Sequence, residues 1–554
     1  MVIALIISVL TALRLFGPGY FPMHDDLQVM RLYELEKCFA DGQIPCRWVP
    51  DMNFGFGQAM FNFYSTLPYY LGVLIRIVLP ISILTTVKIL FAISLVGGAL
   101  GMYSLSREFF GHRGAIIASA LYALAPYRAV NVYVRGAMAE SFSLAILPFL
   151  WLSIYKVIKE PNFKNSAFVA LAVCALLMTH NISTFVYFGF TAVWTLFWLF
   201  QKCKTKNLRA LIFSSVLGVA LAGFFIVPVA IEQSLVQGEL FISDYSNYTG
   251  HFTTLNQLFI SRFWGYGGSI FGENDGMAFQ VGWPHWWAAI LVGISALSQL
   301  TRKNRQSIMV LGLLALSLFS LFMTHNKSTF LWETLPMIAF VQFPWRFLGI
   351  AVFLLSLASG GISNFPGKVF KKLLFIAVVI TALVFNFAYF KHERTYDWLT
   401  DEIKLSGADL LVQQGAAAQD YLPVTVESPP LNTAPGKPVL VNGEAELPNL
   451  TKTSSTFFFD ANVSRESEVD VPIIYFPNWE VYLLEGQGKR IDAAPSEIEG
   501  LIRISLPAGK HMVYGKFVST PARILGNALS ASAFFILIAG AVITNNKRKF
   551  LGLE

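Results

Sequence analysis

Apolar residues recur along this chain in runs as long as a membrane helix, separated by short polar or basic stretches. The runs lie at 1–16, 85–106, 115–134, 138–155, 166–182, 183–200, 210–231, 284–300, 307–324, 346–363, 373–390 and 521–543. A hydrocarbon layer about 30 Å thick takes ~20 apolar helical residues to cross, so the pattern predicts a polytopic α-helical membrane protein of about twelve spans. Residues 67–82 are also apolar, but counting them as a span reverses every later loop. They read instead as an interfacial or re-entrant helix.

After Phe390 the period changes. Short alternating runs at 467–475, 479–484, 501–506 and 511–518 are divided by Pro477-Asn478, Gly486-Gln487-Gly488 and Pro507-Ala508-Gly509, which are strand and turn signals. The domain organisation that follows is a transmembrane domain over 1–390 with long loops at 17–84 and 232–283, an all-β, sandwich-like domain over 391–519, and a last helix with a basic tail over 520–554. No internal repeat of fixed period and no long low-complexity tract interrupts it.

Charge orients the chain. Threading the spans alternately from a cytoplasmic N-terminus gathers 18 basic residues on one side, in the groups Arg107/Arg113, Lys156/Lys159/Lys164, Lys202/Lys204/Lys206/Arg209, Arg302/Lys303/Arg305, Lys368/Lys371/Lys372 and Lys547/Arg548/Lys549. Positive charge sorts to the cytoplasm, so both termini are expected inside, and the long loops and the β domain outside. Composition agrees with a membrane protein: 55% of the 554 residues are hydrophobic and only 14% charged. The net charge of +7 sits in short clusters between apolar runs and on no single face, which argues against nucleic acid as a partner. Cys38 and Cys46 share the first loop and could pair, whereas Cys174 falls in a span and Cys203 in a basic loop. The apolar N-terminus lacks a basic leader and a small-residue cleavage site, so it is expected to stay as the first span.

The first loop carries the densest chemistry. His24-Asp25-Asp26 places two carboxylates within about ten residues of a span, where an unpaired charge is costly unless the site is wet or functional. Neighbouring side chains diverge, so one aspartate is expected to face a cavity and the other a partner; a solvated helix cap is the plain alternative. Arg31, Tyr33, Glu34 and the turn Asn53-Phe54-Gly55-Phe56-Gly57 surround them. A second cluster holds Tyr127-Arg128, Arg135-Gly136 and Glu140, either a structural ion pair or a substrate path. Thr-His-Asn occurs at 179–181 and at 324–326, putting His180 and His325 at outer helix ends; a satisfied interfacial histidine is the simpler reading of each. No metal-binding histidine spacing appears among the eight histidines. Arg262, among the aromatic residues of the second long loop, and Arg346, in Gln342-Phe343-Pro344-Trp345-Arg346, are outer cations suited to a phosphate or to lipid headgroups.

These segments resemble the GT-C superfamily of polyprenyl-phosphate-sugar-dependent glycosyltransferases, whose first external loop carries an acidic catalytic motif that His24-Asp25-Asp26 matches in type and position. More narrowly, Arg135-Gly136-Ala137-Met138-Ala139-Glu140, Thr179-His180-Asn181, Phe343-Pro344-Trp345-Arg346 and Phe476-Pro477-Asn478-Trp479 are similar to bacterial YfhO-type membrane proteins. Some of these are labelled 6-pyruvoyl-tetrahydropterin synthase-related, although the zinc-binding histidines of that enzyme are missing here. The resemblance implies a GT-C-like fold in a bacterial plasma membrane and an external active site. It implies a polyprenyl-phosphate-linked sugar donor and a glycan, lipid or protein acceptor. Asp25 or Asp26 would be the general base, with inversion at the anomeric carbon. Arg135, Arg262 and Arg346 would hold the donor phosphate, with His24, Glu140, His180 and His325 in support. A divalent cation, magnesium or manganese, stays open. So do two other functions, a transporter or flippase of a lipid-linked substrate and a non-catalytic cell-envelope scaffold; sugar transfer separates the first reading from both.

Overall fold

Gly111 turns the chain back on itself. In the computed structural model, which describes residues 1–202, 204–272, 275–300, 304–484 and 488–550, the stretch Ile83–Ala123 is helical on both sides of Gly111, whose φ of 64° and ψ of −169° break it. Glycine alone takes such a conformation without steric cost. Ser119 Oγ donates to the carbonyl of Ala99 at 2.7 Å, and Arg128 Nη2 to those of Ser94 and Leu95 at 2.7 and 3.0 Å. Residues 20 or more apart cannot meet along one straight helix. The expected runs 85–106 and 115–134 therefore lie side by side as a hairpin.

The count of twelve spans is not what the helices show. Among the described residues seven helices are long and apolar enough to cross a membrane: Ile83–Ala123, whose two arms form the Gly111 hairpin and match two of the expected runs, Met138–Lys159, Asn181–Gln201, Arg305–Thr324, Pro344–Asn364, Lys368–Tyr389 and Pro521–Asn546. An eighth is added if Thr205–Leu221 and Gly223–Leu235, bent by 74° at their junction, count as one. The other expected spans are too short, among them Phe163–Leu177 with 15 residues and Trp283–Ser298 with 16. Leu67–Val78, the helix read as interfacial, has 12, about 18 Å at the usual rise.

Loop 17–84 folds inward. Its helix Gln28–Ala40 buries Gln28, Arg31, Glu34 and Cys38, and Cys38 is joined to Cys46 in a disulfide. Gly136 explains how the loop comes so close to the bundle: a Cβ there would lie 2.3 Å from the sulfur of Met23. Backbone hydrogen bonds from His24 to the Val134 carbonyl (3.0 Å) and from Asp25 to that of Arg135 (2.9 Å) fasten the acidic motif to the second cluster.

The C-terminal domain also departs from expectation. Its strands, β1 (Val439–Glu446), β2 (Thr451–Lys452), β3 (Thr456–Ile474), β4 (Trp479–Leu483), β5 (Lys489–Ile491), β6 (Ala493–Pro495), β7 (Leu501–Leu506) and β8 (Gly509–Phe517), form one antiparallel sheet of eight strands, where a sandwich would need two. The cause is β3, whose 19 residues pair with β8 through Thr456–Val463 and with β7 through Ser467–Ile474, so both halves share a strand. The curled sheet closes over Phe457, Val471, Trp479, Ile502 and Val513. Residues 391–438 contain no strand; they carry two short helices, Asp401–Lys404 and Gly407–Ala416, that pack against the first loop. The basic residues Arg302 and Lys303, together with Cys203 and the turn Gly486-Gln487, lie outside the described residues.

A buried ion pair and a helix cap lock the parts together. Arg523, at the start of the last helix, donates to Glu232 Oε2 through Nη2 (2.8 Å) and Nε (3.1 Å), and Asn62 of the first loop donates to the same oxygen at 2.7 Å. Asp401 accepts from the amides of Ile83 and Leu84 at 2.6 and 3.0 Å, capping that helix where its free N–H groups and dipole favour an anion.

Candidate active site

A cavity of about 820 Å³ opens where the first loop, the second long loop, the helix ends and the segment after 400 meet. His24, Asp25, Asp26, Arg135, Glu140, His180 and Arg346 all line it. Sequence positions from 24 to 346 are thus gathered in one hollow, but Arg262 and His325 are not among the residues lining it. Arg262 donates to the carbonyl of Phe385 at 2.9 Å and lies over the rings of Trp283 and Phe385, 5.0 and 5.1 Å from their centroids; its cation is spent on aromatic faces and a carbonyl. His325 caps the turn after its helix, accepting from the amide of Lys327 at 3.2 Å.

One pole of the cavity is cationic. Arg135 Nη1 donates to Glu140 Oε2 at 2.7 Å, and Arg346 Nε stands 3.7 Å from the same oxygen. Two guanidinium groups therefore share one carboxylate, and a positive charge is left over. Arg346 Nη1 is steered by the Val341 carbonyl and Gln342 Oε1, both at 2.7 Å. The guanidinium of Arg135 lies 4.3 Å from the centroid of Trp345, and that of Arg346 lies 4.8 Å from the centroid of Phe343. Stacking holds planar guanidinium groups in fixed orientation, as bidentate binding of an oxyanion requires. Tyr127 and Asn131 donate to the other oxygen of Glu140, so this carboxylate is fully engaged. The Nδ1 of His180 pairs with Ser183 Oγ at 2.6 Å.

The other pole is acidic, and the two aspartates differ in what they touch. Asp25 is oriented by Arg31 Nη1, 3.0 Å from Oδ1 and 2.9 Å from Oδ2, and by Gln28 Nε2 at 3.0 Å. Gln28 is fixed in turn by the Tyr69 hydroxyl at 2.6 Å, and Arg31 by the face of Tyr64, 4.2 Å away. Asp26 Oδ2 accepts from Lys404 Nζ at 2.6 Å, while its Oδ1 is buried with no hydrogen-bond partner. Burial pushes the Asp26 carboxyl above its ordinary pKa, with Lys404 opposing. Asp25 thus has both oxygens oriented by donors, whereas Asp26 keeps one oxygen, Oδ1, without a partner. Both side chains line the hollow and both have a cationic partner, so the two aspartates do not divide into one facing the cavity and one facing a partner. His24 Nε2 pairs with the Tyr266 carbonyl at 2.9 Å.

Lys404 and Asp420 complete the lining and escaped the sequence reading, because they lie in a stretch assigned to the β domain and reach the cavity only through the tertiary fold. Burial raises the Asp420 carboxyl to a pKa of about 6, with Arg31 opposing and Asp25 adding to the rise. Among the described residues no three histidine, cysteine, aspartate or glutamate side chains come close enough together to hold a metal ion.

A Lactococcus lactis subsp. cremoris protein of uncharacterised function is 21% identical over 243 residues, which is 41% of this chain and 39% of that relative's length. Among solved structures, the arabinofuranosyltransferase AftD from mycobacteria superposes with a TM-score of 0.48 at 16% identity over 72% of this chain and 27% of its own. The oligosaccharyltransferase of Archaeoglobus fulgidus gives 0.41 at 14% over 70% and 55%. ArnT from Cupriavidus metallidurans, solved with undecaprenyl phosphate bound, gives 0.38 at 12% over 68% and 62%. Superpositions this distant carry no functional weight. Residues 61–391, more than half of the chain, match the membrane-protein family described as 6-pyruvoyl-tetrahydropterin synthase related, and the chain belongs to that family.

Proposed function

We propose that this protein is a membrane glycosyltransferase that moves a sugar from a polyprenyl-phosphate donor to an extracytoplasmic acceptor hydroxyl, with inversion. The observation that carries the reading is the shared cavity: a pair of guanidinium groups with one carboxylate between them lines the same hollow as an oriented aspartate. Asp25 accepts the proton of the acceptor hydroxyl as its oxygen forms the new bond to the anomeric carbon. The bond from that carbon to the phosphate oxygen breaks on the opposite face, and the polyprenyl phosphate departs with the electron pair. Arg135 and Arg346 meet the negative charge that develops there, while Arg31 and Gln28 hold the base in line and Asp26 with Lys404 holds the loop. General-base help of this kind is worth about 10²- to 10⁴-fold.

The phosphate-binding set is reduced to Arg135 and Arg346, since Arg262 is occupied elsewhere. Glu140, His24 and His180 serve as support. If magnesium or manganese takes part, Asp25 and Asp26 are the side chains that would face it; no step here is routed through it. A disulfide in the first loop fits an oxidising exterior, and basic clusters such as Lys156/Lys159/Lys164 fit a cytoplasmic side. Both support a bacterial plasma-membrane protein with its termini inside and its cavity and β domain outside.

The test is reconstitution of the full chain in vesicles with an undecaprenyl-phosphate sugar whose sugar is radiolabelled. Label moving to an acceptor supports the reading. Lipid movement across the bilayer without transfer would favour a transporter, and binding without either a scaffold.

A further inference from the structure

We propose that the wall of the cavity built by Phe241, Tyr245, Asp420 and Tyr421 is an acceptor subsite for an uncharged saccharide. The inference rests on the transferase reading above and names the acceptor class.

Aromatic faces come first. Phe241 and Tyr421 lie with ring centroids 5.1 Å apart, and Tyr421 stacks on Phe63 at 5.6 Å. Tyr421 has a φ of 54°, a conformation uncommon for a residue with a side chain and one that clusters at functional sites. Tyr245 is 52% exposed yet held in place. Its carbonyl pairs with His251 Nε2 at 2.6 Å, and the Ser269 amide donates to its hydroxyl at 3.3 Å. One exposed and two half-buried aromatic rings in the lining of a polar cavity suit the apolar faces of sugar rings, whose C–H groups meet the negative face of the π-system.

Charge comes second. On the acidic side Asp25 is paired with Arg31 and Asp26 with Lys404, whereas the Asp420 carboxylate makes no hydrogen bond or ion pair among the described residues. At neutral pH this wall therefore carries one uncompensated negative charge. A polyanionic acceptor would be repelled, while the hydroxyls of a neutral sugar can donate to both oxygens of Asp420. The subsite is also tied to the cationic pole, because Gln342 donates to the Phe241 carbonyl at 2.8 Å while accepting from Arg346.

Saturation-transfer NMR on the detergent-solubilised full chain tests this without donor or turnover. The probes are neutral hexose oligosaccharides, a glycerol-phosphate polymer and an unstructured peptide. The expected result is binding of the neutral saccharides alone, weakened at least about tenfold by Tyr421→Ala, Asp420→Asn and the surface variant Tyr245→Ala, and unchanged by Arg262→Lys. Binding of the polymer or the peptide in place of the saccharides, no saccharide binding by the wild type, or saccharide binding unaltered in all three variants would overturn it. Saccharide binding without any transfer from the lipid donor would leave the subsite standing and remove the transferase reading.

Discussion

Lys404 and Asp26, 378 residues apart in the chain, meet at 2.6 Å on the rim of the cavity. Lys404 is only 5% exposed, and its carbonyl is held by Gln413 Nε2 at 2.6 Å, so the contact is built into the fold and is more than a chance surface pair. It ties the segment leading to the β domain to the acidic loop.

Replacing Lys404 with methionine is expected to leave Asp26 without its cation in a poorly hydrated site, which costs more than the pair contributes. Transfer should fall by about tenfold or more through misplacement of the loop, and Lys404→Arg should restore part of it. Equal activity in both variants and wild type would show that the contact positions nothing.

Arginine-to-lysine exchange separates the outer cations. Arg135→Lys and Arg346→Lys keep the charge but lose the planar fork, and each should lower turnover or donor affinity by at least about tenfold. Arg262→Lys should stay within about threefold of wild type, since that guanidinium serves Trp283, Phe385 and a carbonyl. Donor affinity and turnover measured separately across the three decide the matter.

Glu34 predicts the pH dependence of stability. It is fully buried, its Oε2 has no hydrogen-bond partner, and burial together with Asp51 holds its pKa well above the ordinary value, with Lys37 and Lys452 opposing. The folded state therefore keeps a proton that the unfolded chain releases near pH 4.3, so this group's contribution to stability falls as pH rises above that value. Glu34→Gln removes the effect. Its melting temperature should exceed that of the wild type at pH 8, with the gap closing toward pH 5. A gap independent of pH would contradict the assignment.

Topology is open to labelling. In a background with Cys174 and Cys203 changed to serine, a cysteine replacing the exposed Ser464 of β3 should react with an impermeant maleimide added outside. One replacing Arg113, beside the Gly111 turn, should react only after permeabilisation. The reverse pattern would invert the threading.

Much of the architecture could be read from the chain. Helical apolar runs, the basic clusters between them and the alternating strands after Phe390 are local patterns, and local patterns place elements well. The hairpin at Gly111 was visible as two runs with Arg107 and Arg113 between them. What the runs could not give was helix length. Pro228, the junction at Ala222 and the early ends of Phe163–Leu177 and Trp283–Ser298 cut several runs short of a span. In the β domain each strand was marked, but a continuous β3 joining both halves depends on pairing, which hydropathy does not encode. The site follows the same division. Asp25, Arg135, Glu140 and Arg346 stood out because charges beside apolar runs are expensive. Arg262 stood out for the same reason and serves a different purpose, while Lys404 and Asp420 sit in a polar stretch where a charge is ordinary.

The central claim is that Asp25 takes the acceptor's proton while Arg135 and Arg346 hold the leaving phosphate. Its most direct measurement is single-turnover sugar transfer by reconstituted Asp25→Asn, a nearly isosteric change, compared with wild type at matched folded protein and saturating donor. The account predicts a rate reduced by at least about 10²-fold with donor affinity within about threefold of wild type. A wild-type rate in Asp25→Asn would contradict it.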